Sequence, residues 1–339
     1  MNMKTIASVA TLAFLFCFSA FADKLKVGFV YIGPVGDHGW TYMHDQGRQA
    51  VEKAYGDKVE VTYMESVKYG PDAERAIRGL AKEGMDIIFA TSFGYMEPML
   101  KVAKEFPNIK FEHATGYKTN NNMSVYSGMF YQGRYVQGVI AGHMSKTGKA
   151  GYIASFPIPE VVRGINAFYL GAKSVNPDFD IDVVWVNSWY DPVKEGNAAK
   201  VLISEGADII TQHTDSPAAL QVAQQQGVYA FGQASNMYQF APKAQLTAII
   251  DDWSPYYIKR VGQVIDGTWK KSDTWGDMKS GMVKMAPYTN MPDNIARIAK
   301  DTEKKVMNGD IKPFNDKYTV GELLSMNKYV KGIDASLPK

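Results

Sequence analysis

The sequence predicts an α/β protein of two doubly wound parallel-sheet lobes joined by a hinge, and three observations carry that prediction. A thirty-residue phrase, Val59 to Ile88, aligns without a gap on Ile181 to Ile210, 122 residues further on. Upstream of it, Gly28-Phe29-Val30 with Pro34 and Asp37 matches Gly151-Tyr152-Ile153 with Pro157 and Glu160 at an offset of 123. Each half also alternates short apolar runs with segments of helical periodicity, the pattern of a parallel sheet covered by helices. Two such lobes leave a cleft between the carboxyl ends of two sheets, where open α/β sheets place ligands.

The first element is a leader rather than part of that plan. Lys4 supplies a positive start, Ile6 to Phe18 an apolar run too short for a membrane span, and Ala20-Phe21-Ala22 a small-x-small cleavage site. Residues 1–22 therefore read as a signal peptide and the mature chain as an exported, periplasmic one. The only cysteine, Cys17, falls inside the leader without a lipid-attachment motif, so a disulfide, a thiol nucleophile and a zinc thiolate site are not expected.

Lys24 to Ile32 is a nearly continuous apolar run ending in Gly33-Pro34, the mark of a buried parallel strand. Trp40, Met43, Ala50, Val51 and Ala54 then recur at helical spacing up to Tyr55-Gly56. Strand, helix and strand continue through 59–64, 72–83, 86–90, 96–105 and 109–113. Asn120-Asn121-Asn122 reads as a break, Met123 to Phe130 as the crossing to the second lobe, and Tyr131 to Ser145 as a helix. The repeated phrase follows from Gly151 to Phe231. Gln245 to Asp252 reads as a strand returning to lobe one, Pro255 to Ile265 as a helix on it, Gly267 to Met285 as turn-rich, and Asp293 to Met307 as a last amphipathic helix. The lobes are thus expected at 23–126 with 252–278, and at 127–251 with 279–339.

Charge excludes some partners. Without the leader, 36 basic residues face 35 acidic ones and no long run of either sign occurs, which argues against a nucleic-acid partner. The loop Gly33-Pro-Val-Gly-Asp-His-Gly-Trp40 is not the dinucleotide fingerprint, and Gly142 to Lys149 has the wrong spacing for a phosphate loop. No Gly-x-Ser-x-Gly elbow and no His-x-x-x-His pair appear, and the acidic residues lack metal-loop spacing. No cofactor and no metal are expected, and Asp215 near His213 lacks a nucleophile to serve.

What remains is binding. Trp40 opens the first helix, with its amino end toward the cleft, and Trp189 follows the second strand of the other lobe. Two aromatics from opposite lobes suit a sandwich around a flat ring. Core packing is the alternative for Trp40, and Phe93, Tyr95 and Phe156 are alternatives for the second ring. Polar groups gather at other strand ends: Thr91-Ser92, His213-Thr214-Asp215, Gln233 to Asn236, and Asp251-Asp252. Arg163 and Asn166, on the leading helix of lobe two, either reach a ligand or, for Arg163, pair with Glu160.

In their order along the chain, these features resemble the basic membrane protein family. The resemblance rests on the leader, the Gly-x-x-x-Asp-x-x-Trp loop, the twice-used Glu-Gly-x-Asp-Ile-Ile phrase, Arg163-Gly-x-Asn166, and Met307-Asn-Gly-Asp-Ile-Lys-Pro-Phe314. It implies a type I periplasmic binding fold, a non-enzymatic substrate-binding role in an ABC importer, a membrane permease as partner and a monomeric receptor. It also implies a purine nucleoside or nucleobase held between aromatic side chains, with Asp37 and Trp40 in the loop that helps. Where nucleoside-binding relatives show Ile-Gly-x-Asp, this chain has Phe231-Gly232-Gln233-Ala234, and where they show Lys-Asp it has Asp251-Asp252. Those departures favour a bare base, adenine-like or guanine-like, over a nucleoside. Within the class the alternative is a receptor for a purine nucleoside or another small polar ligand, and a secreted nucleoside hydrolase is the rival from another class.

Overall fold

A computed structural model describes residues 23–338; the leader and Cys17 lie outside them. The first lobe is a six-stranded sheet in the order β11-β5-β4-β3-β1-β2. Its strands are β1 (Leu25–Val30), β2 (Val59–Met64), β3 (Ile87–Ala90), β4 (Lys110–Ala114), β5 (Met123–Gly128) and β11 (Asp273–Gly276), all parallel. Helices α1 (Gly39–Tyr55), α2 (Pro71–Lys82) and α3 (Met96–Glu105) connect them, and α8 (Ser254–Ile265) packs beside α1.

The second lobe repeats the order as β12-β10-β9-β8-β6-β7. Its strands are β6 (Lys149–Ala154), β7 (Asp180–Trp185), β8 (Ile209–His213), β9 (Tyr229–Gly232), β10 (Gln245–Asp251) and β12 (Val283–Met285), and only β12 runs antiparallel. Helices α4 (Tyr131–Met144), α5 (Pro159–Lys173), α6 (Pro192–Ser204), α7 (Ala218–Gln226), α9 (Asp293–Asn308) and α10 (Val320–Leu324) complete it. Strand order 2-1-3-4-5 in each lobe is the flavodoxin-like plan, whose switch points lie between β1 and β3 and between β6 and β8.

The strands form where the apolar runs are, because a strand covered on both faces needs apolar side chains on both. Ile87 to Ala90 is fully buried: Phe89 stacks on Phe29 at 4.8 Å toward α1 and α8, while Ile88 packs with Ile77 and Leu80 toward α2. In the second lobe α4 and α5 approach closely enough that a Cβ on Gly138 would lie 2.0 Å from the Phe168 carbonyl oxygen. Two glycine-bearing helices therefore form the base on which α5 presents its first turn.

Three expectations are corrected. Met123 to Gly128 is not the crossing but strand β5 of the first sheet, and the chain passes over only between Gly128 and Tyr131. Gln245 to Asp251 belongs wholly to the second sheet, with the return to lobe one at Asp252 and Trp253. The turn-rich stretch after Gly267 holds β11 and β12, one in each sheet. Among the described residues no helix is long and apolar enough to cross a membrane.

Candidate functional site

Carboxyl ends of both sheets meet across one cavity, lined by Ile32, Trp40, Ser92, Phe93 and Thr115 from lobe one and by Glu160, Trp189, His213, Asp215 and Gln233 from lobe two. It encloses about 370 Å³ of empty space, with open solvent at its mouth included. Trp40 arrives on the first turn of α1, and its indole Nε1 donates to the Thr91 carbonyl at the end of β3, 2.6 Å away. The ring packs edge-to-face with those of His44, at 4.6 Å, and Trp253, at 5.3 Å, which holds it against lobe one. Trp189 follows β7, and its carbonyl accepts from the Asp215 backbone N–H at 2.8 Å, which ties the loops after β7 and β8 together.

The polar floor comes from lobe two. Glu160 opens α5 and lies 3.5 Å from His213 Nε2. Burial holds the His213 imidazole below its ordinary pKa, against the pull of Glu160, and its Nδ1 has no hydrogen-bond partner among the described residues. Asp215 is pushed up to about 8, first by burial and then by the charge of Glu195, with the Trp40 backbone N–H opposing. Behind this layer Asp251 is fully buried with neither carboxyl oxygen partnered among the described residues, and burial, followed by the charge of Glu160, raises its pKa well above the carboxylate range. A site with two carboxyls held toward their protonated forms can donate as well as accept hydrogen bonds.

Two depressions adjoin the cavity. One, sharing Trp40, Trp189 and Asp215, adds Tyr69, Phe156 and Tyr190. Phe156 lies 5.4 Å from the Trp189 ring there, tilted by 55°. The other shares Phe93, Thr115 and Glu160 and continues past Arg163 to Ser325 and Asn327.

Of the residues singled out in the sequence, the structure brings Trp40, Phe93, Trp189, Asp215 and Gln233 to one cavity and Phe156 to its edge. Five others it places elsewhere. Tyr95 is fully buried under Tyr69, its hydroxyl donating to the Val67 carbonyl. Arg163 donates from Nη1 to the Leu323 carbonyl and lies over the Trp275 ring at 4.9 Å. It lines only the adjoining depression and makes no ion pair with Glu160. Asn166 is buried against the C-terminal segment, donating to Lys328 O at 3.0 Å and accepting from Val330 N at 3.0 Å. Asp37 is exposed beside His38, and Asp252 pairs with Lys284 at 2.6 Å; both line a separate surface depression with Tyr42 and Ser235. A Lys–Asp pair thus exists, but its lysine comes from β12, beyond the reach of any local motif.

Glu160, Thr115 and Ile32 were missed. For Glu160 the signal was on the page: it is the repeat partner of Asp37, and it is the acid in lobe two, not the one in lobe one, that the fold turns into the cavity.

Comparison with known proteins agrees with this architecture. A purine-binding protein of Brucella abortus is 58% identical over 94% of this chain and 95% of its own length. TsgA13 of Haloferax volcanii, named for glucose binding, is 38% identical over 93% of this chain and 82% of its own. An ABC transporter solute-binding protein from Aeropyrum pernix superimposes with a TM-score of 0.71 over 85% of this chain and 92% of its own, at 18% identity, a likeness of fold alone. Residues 24–321 match the description "Bmp: ABC transporter substrate-binding protein PnrA-like", so the chain belongs to that family of substrate-binding proteins, which are not enzymes.

Proposed function

We propose that this protein, exported by the leader at 1–22, captures a purine between its lobes and hands it to the membrane permease of an ABC importer, taking the free base ahead of the nucleoside. The observation that carries the reading is a cavity bounded by Trp40 from one lobe and Trp189 from the other, with Asp215, Glu160 and Gln233 at its floor. Indole faces suit a flat heterocycle, and the buried polar groups suit its edge. The name of the Brucella relative supports a purine. Preference for the base is supported by the position of the Lys284–Asp252 pair, which faces another depression and leaves the cavity without that partner for ribose hydroxyls.

The name of the Haloferax relative favours a second reading, glucose, since an aromatic face and carboxylates also suit a sugar. Calorimetric titration of adenine, guanine, adenosine, guanosine and glucose into refolded, ligand-free protein separates the two. The free bases are expected to bind most tightly. Equal or tighter nucleoside binding removes the base preference, and binding of glucose alone removes the purine. Trp40→Ala and Trp189→Ala should each weaken the preferred ligand by about 1–3 kcal/mol, the range for one base–aromatic stack.

A further inference from the structure

We infer that Arg134, which does not line the cavity, is a positioning residue that sets which edge of the ligand the site accepts, by fixing the amide of Gln233 with its nitrogen toward the ligand. The inference rests on the purine reading above and adds a specificity determinant to it.

Arg134 lies on α4, only 1% exposed. Its Nη2 donates to Gln233 Oε1, and its Nη1 to Gln137 Oε1 at 3.1 Å, with Thr211 Oγ1 at 3.4 Å. A guanidinium carries only donors. The Gln233 atom facing it must therefore be the amide oxygen, and the usual ambiguity between the two ends of a glutamine side chain is removed. With Oε1 committed inward, Nε2 is left for the cavity that Gln233 lines. Gln233 is 4% exposed, and its Nε2 has no protein acceptor among the described residues. Gln137, oriented by the same guanidinium, returns its Nε2 to the Gly232 carbonyl at 3.4 Å, so Arg134 also steadies the backbone that carries Gln233.

The consequence is chemical. An amide nitrogen aimed at a buried ligand requires an acceptor on that ligand, a carbonyl oxygen or an unprotonated ring nitrogen. An exocyclic amine placed there would set donor against donor, which a buried site rejects strongly. Without Arg134 the amide can turn over and meet either group.

The test compares hypoxanthine, with a carbonyl at C6, and adenine, with an amine there, on four proteins. Wild type establishes a ratio of dissociation constants. Arg134→Lys keeps a donor-only group and is expected to hold that ratio. Arg134→Met frees the amide and is expected to move the ratio toward one, with a loss of roughly tenfold for the preferred base. Gln233→Glu keeps the pairing with Arg134 but offers the ligand only acceptor oxygens. It is expected to shift the ratio roughly tenfold toward the base that donates, and it decides the matter even where Arg134→Met fails to fold. An unchanged ratio in Gln233→Glu, or in a folded Arg134→Met, overturns the inference while leaving the purine reading intact. Failure of wild type to bind any purine overturns both.

Discussion

Asp215 shows how far a residue's role depends on surroundings that a sequence cannot display. Read as a residue type it is an ionised acceptor. In the fold it sits below the amino end of α1, near Glu195, and its pKa is pushed up to about 8 by burial first and by that charge second. Near neutral pH the empty site therefore holds mainly the protonated form. A base whose N–H donates to Asp215 needs the ionised one, so binding must expel a proton. Affinity for such a ligand should improve about tenfold per pH unit below about 8 and level off above it. Isothermal titrations from pH 6 to 9 check this, and a flat profile excludes the Asp215 carboxylate as the acceptor. The sign for stability is opposite: the folded chain keeps a proton that the unfolded chain loses near 3.8, so this residue's contribution declines as pH rises from there to about 8. Asp37 and Glu160 give the companion case. Their alignment in the repeat was legible, but which of the two lines the cavity was not, because it depends on how each loop turns after its strand.

Single elements were legible where their own residues supply the signal. The run of β3 is apolar throughout, β1 and β6 each interrupt theirs with one lysine, and β8 opens on the Ile209-Ile210 that closes the repeated phrase, so none needed a partner to be recognised. The polar Asn120-Asn121-Asn122 misled, because Asn122 is a local knot: its Nδ2 donates to the carbonyls of Ala103, Phe106 and Ile109 and closes the α3–β4 turn. Strands β11 and β12 span four and three residues, too few for a period, and exist because distant partners offer them an edge. Helix α10 carries a capping box of Thr319 and Glu322 that the sequence did display and that went unread. Helix α8 depends on distant contacts, since it follows the last long strand of lobe two yet packs on lobe one. Glu112 of β4 anchors it, accepting from Tyr256 Oη, Arg260 Nε and Trp269 Nε1, each at 2.7 Å. Arg260 also reaches Ser124 Oγ at 2.9 Å and Lys270 O at 3.0 Å. Arg260→Met would leave a fully buried carboxylate without its countercharge and should cost about 3–5 kcal/mol. Adding Glu112→Gln should recover part of that loss. Urea denaturation measures both, and a cost below about 1 kcal/mol for the single change would show that packing, not this pair, holds α8.

At the scale of the molecule, the two-lobed plan was the most legible feature, since the chain states it twice. The contacts that close one lobe on the other were not legible. Gly39 N donates to Ser235 Oγ at 2.8 Å across 196 residues of sequence, and the His38 ring meets Phe240 edge-on at 4.8 Å. These contacts bridge the lobes beside the cavity, where closure of a hinged receptor would form or break them. Gly39 stands at the seam between the lobes. Its φ of +79° favours glycine, and a Cβ there would lie 2.9 Å from the Asp215 carbonyl oxygen of the opposite lobe. The two effects of Gly39→Ala separate by state. The backbone strain, about 1–2 kcal/mol, burdens the open and closed forms alike, whereas the overlap with Asp215 exists only in the closed form. Ligand affinity should therefore fall by more than thermal stability does, and small-angle scattering at saturating ligand should show a radius of gyration larger than that of the liganded wild type. Ser235→Ala removes the hydrogen bond without the strain and should move affinity in the same direction by a smaller amount. If both variants compact like the wild type and keep its affinity, the lips of the cleft do not govern closure, and the hinge must be driven from the cavity floor alone.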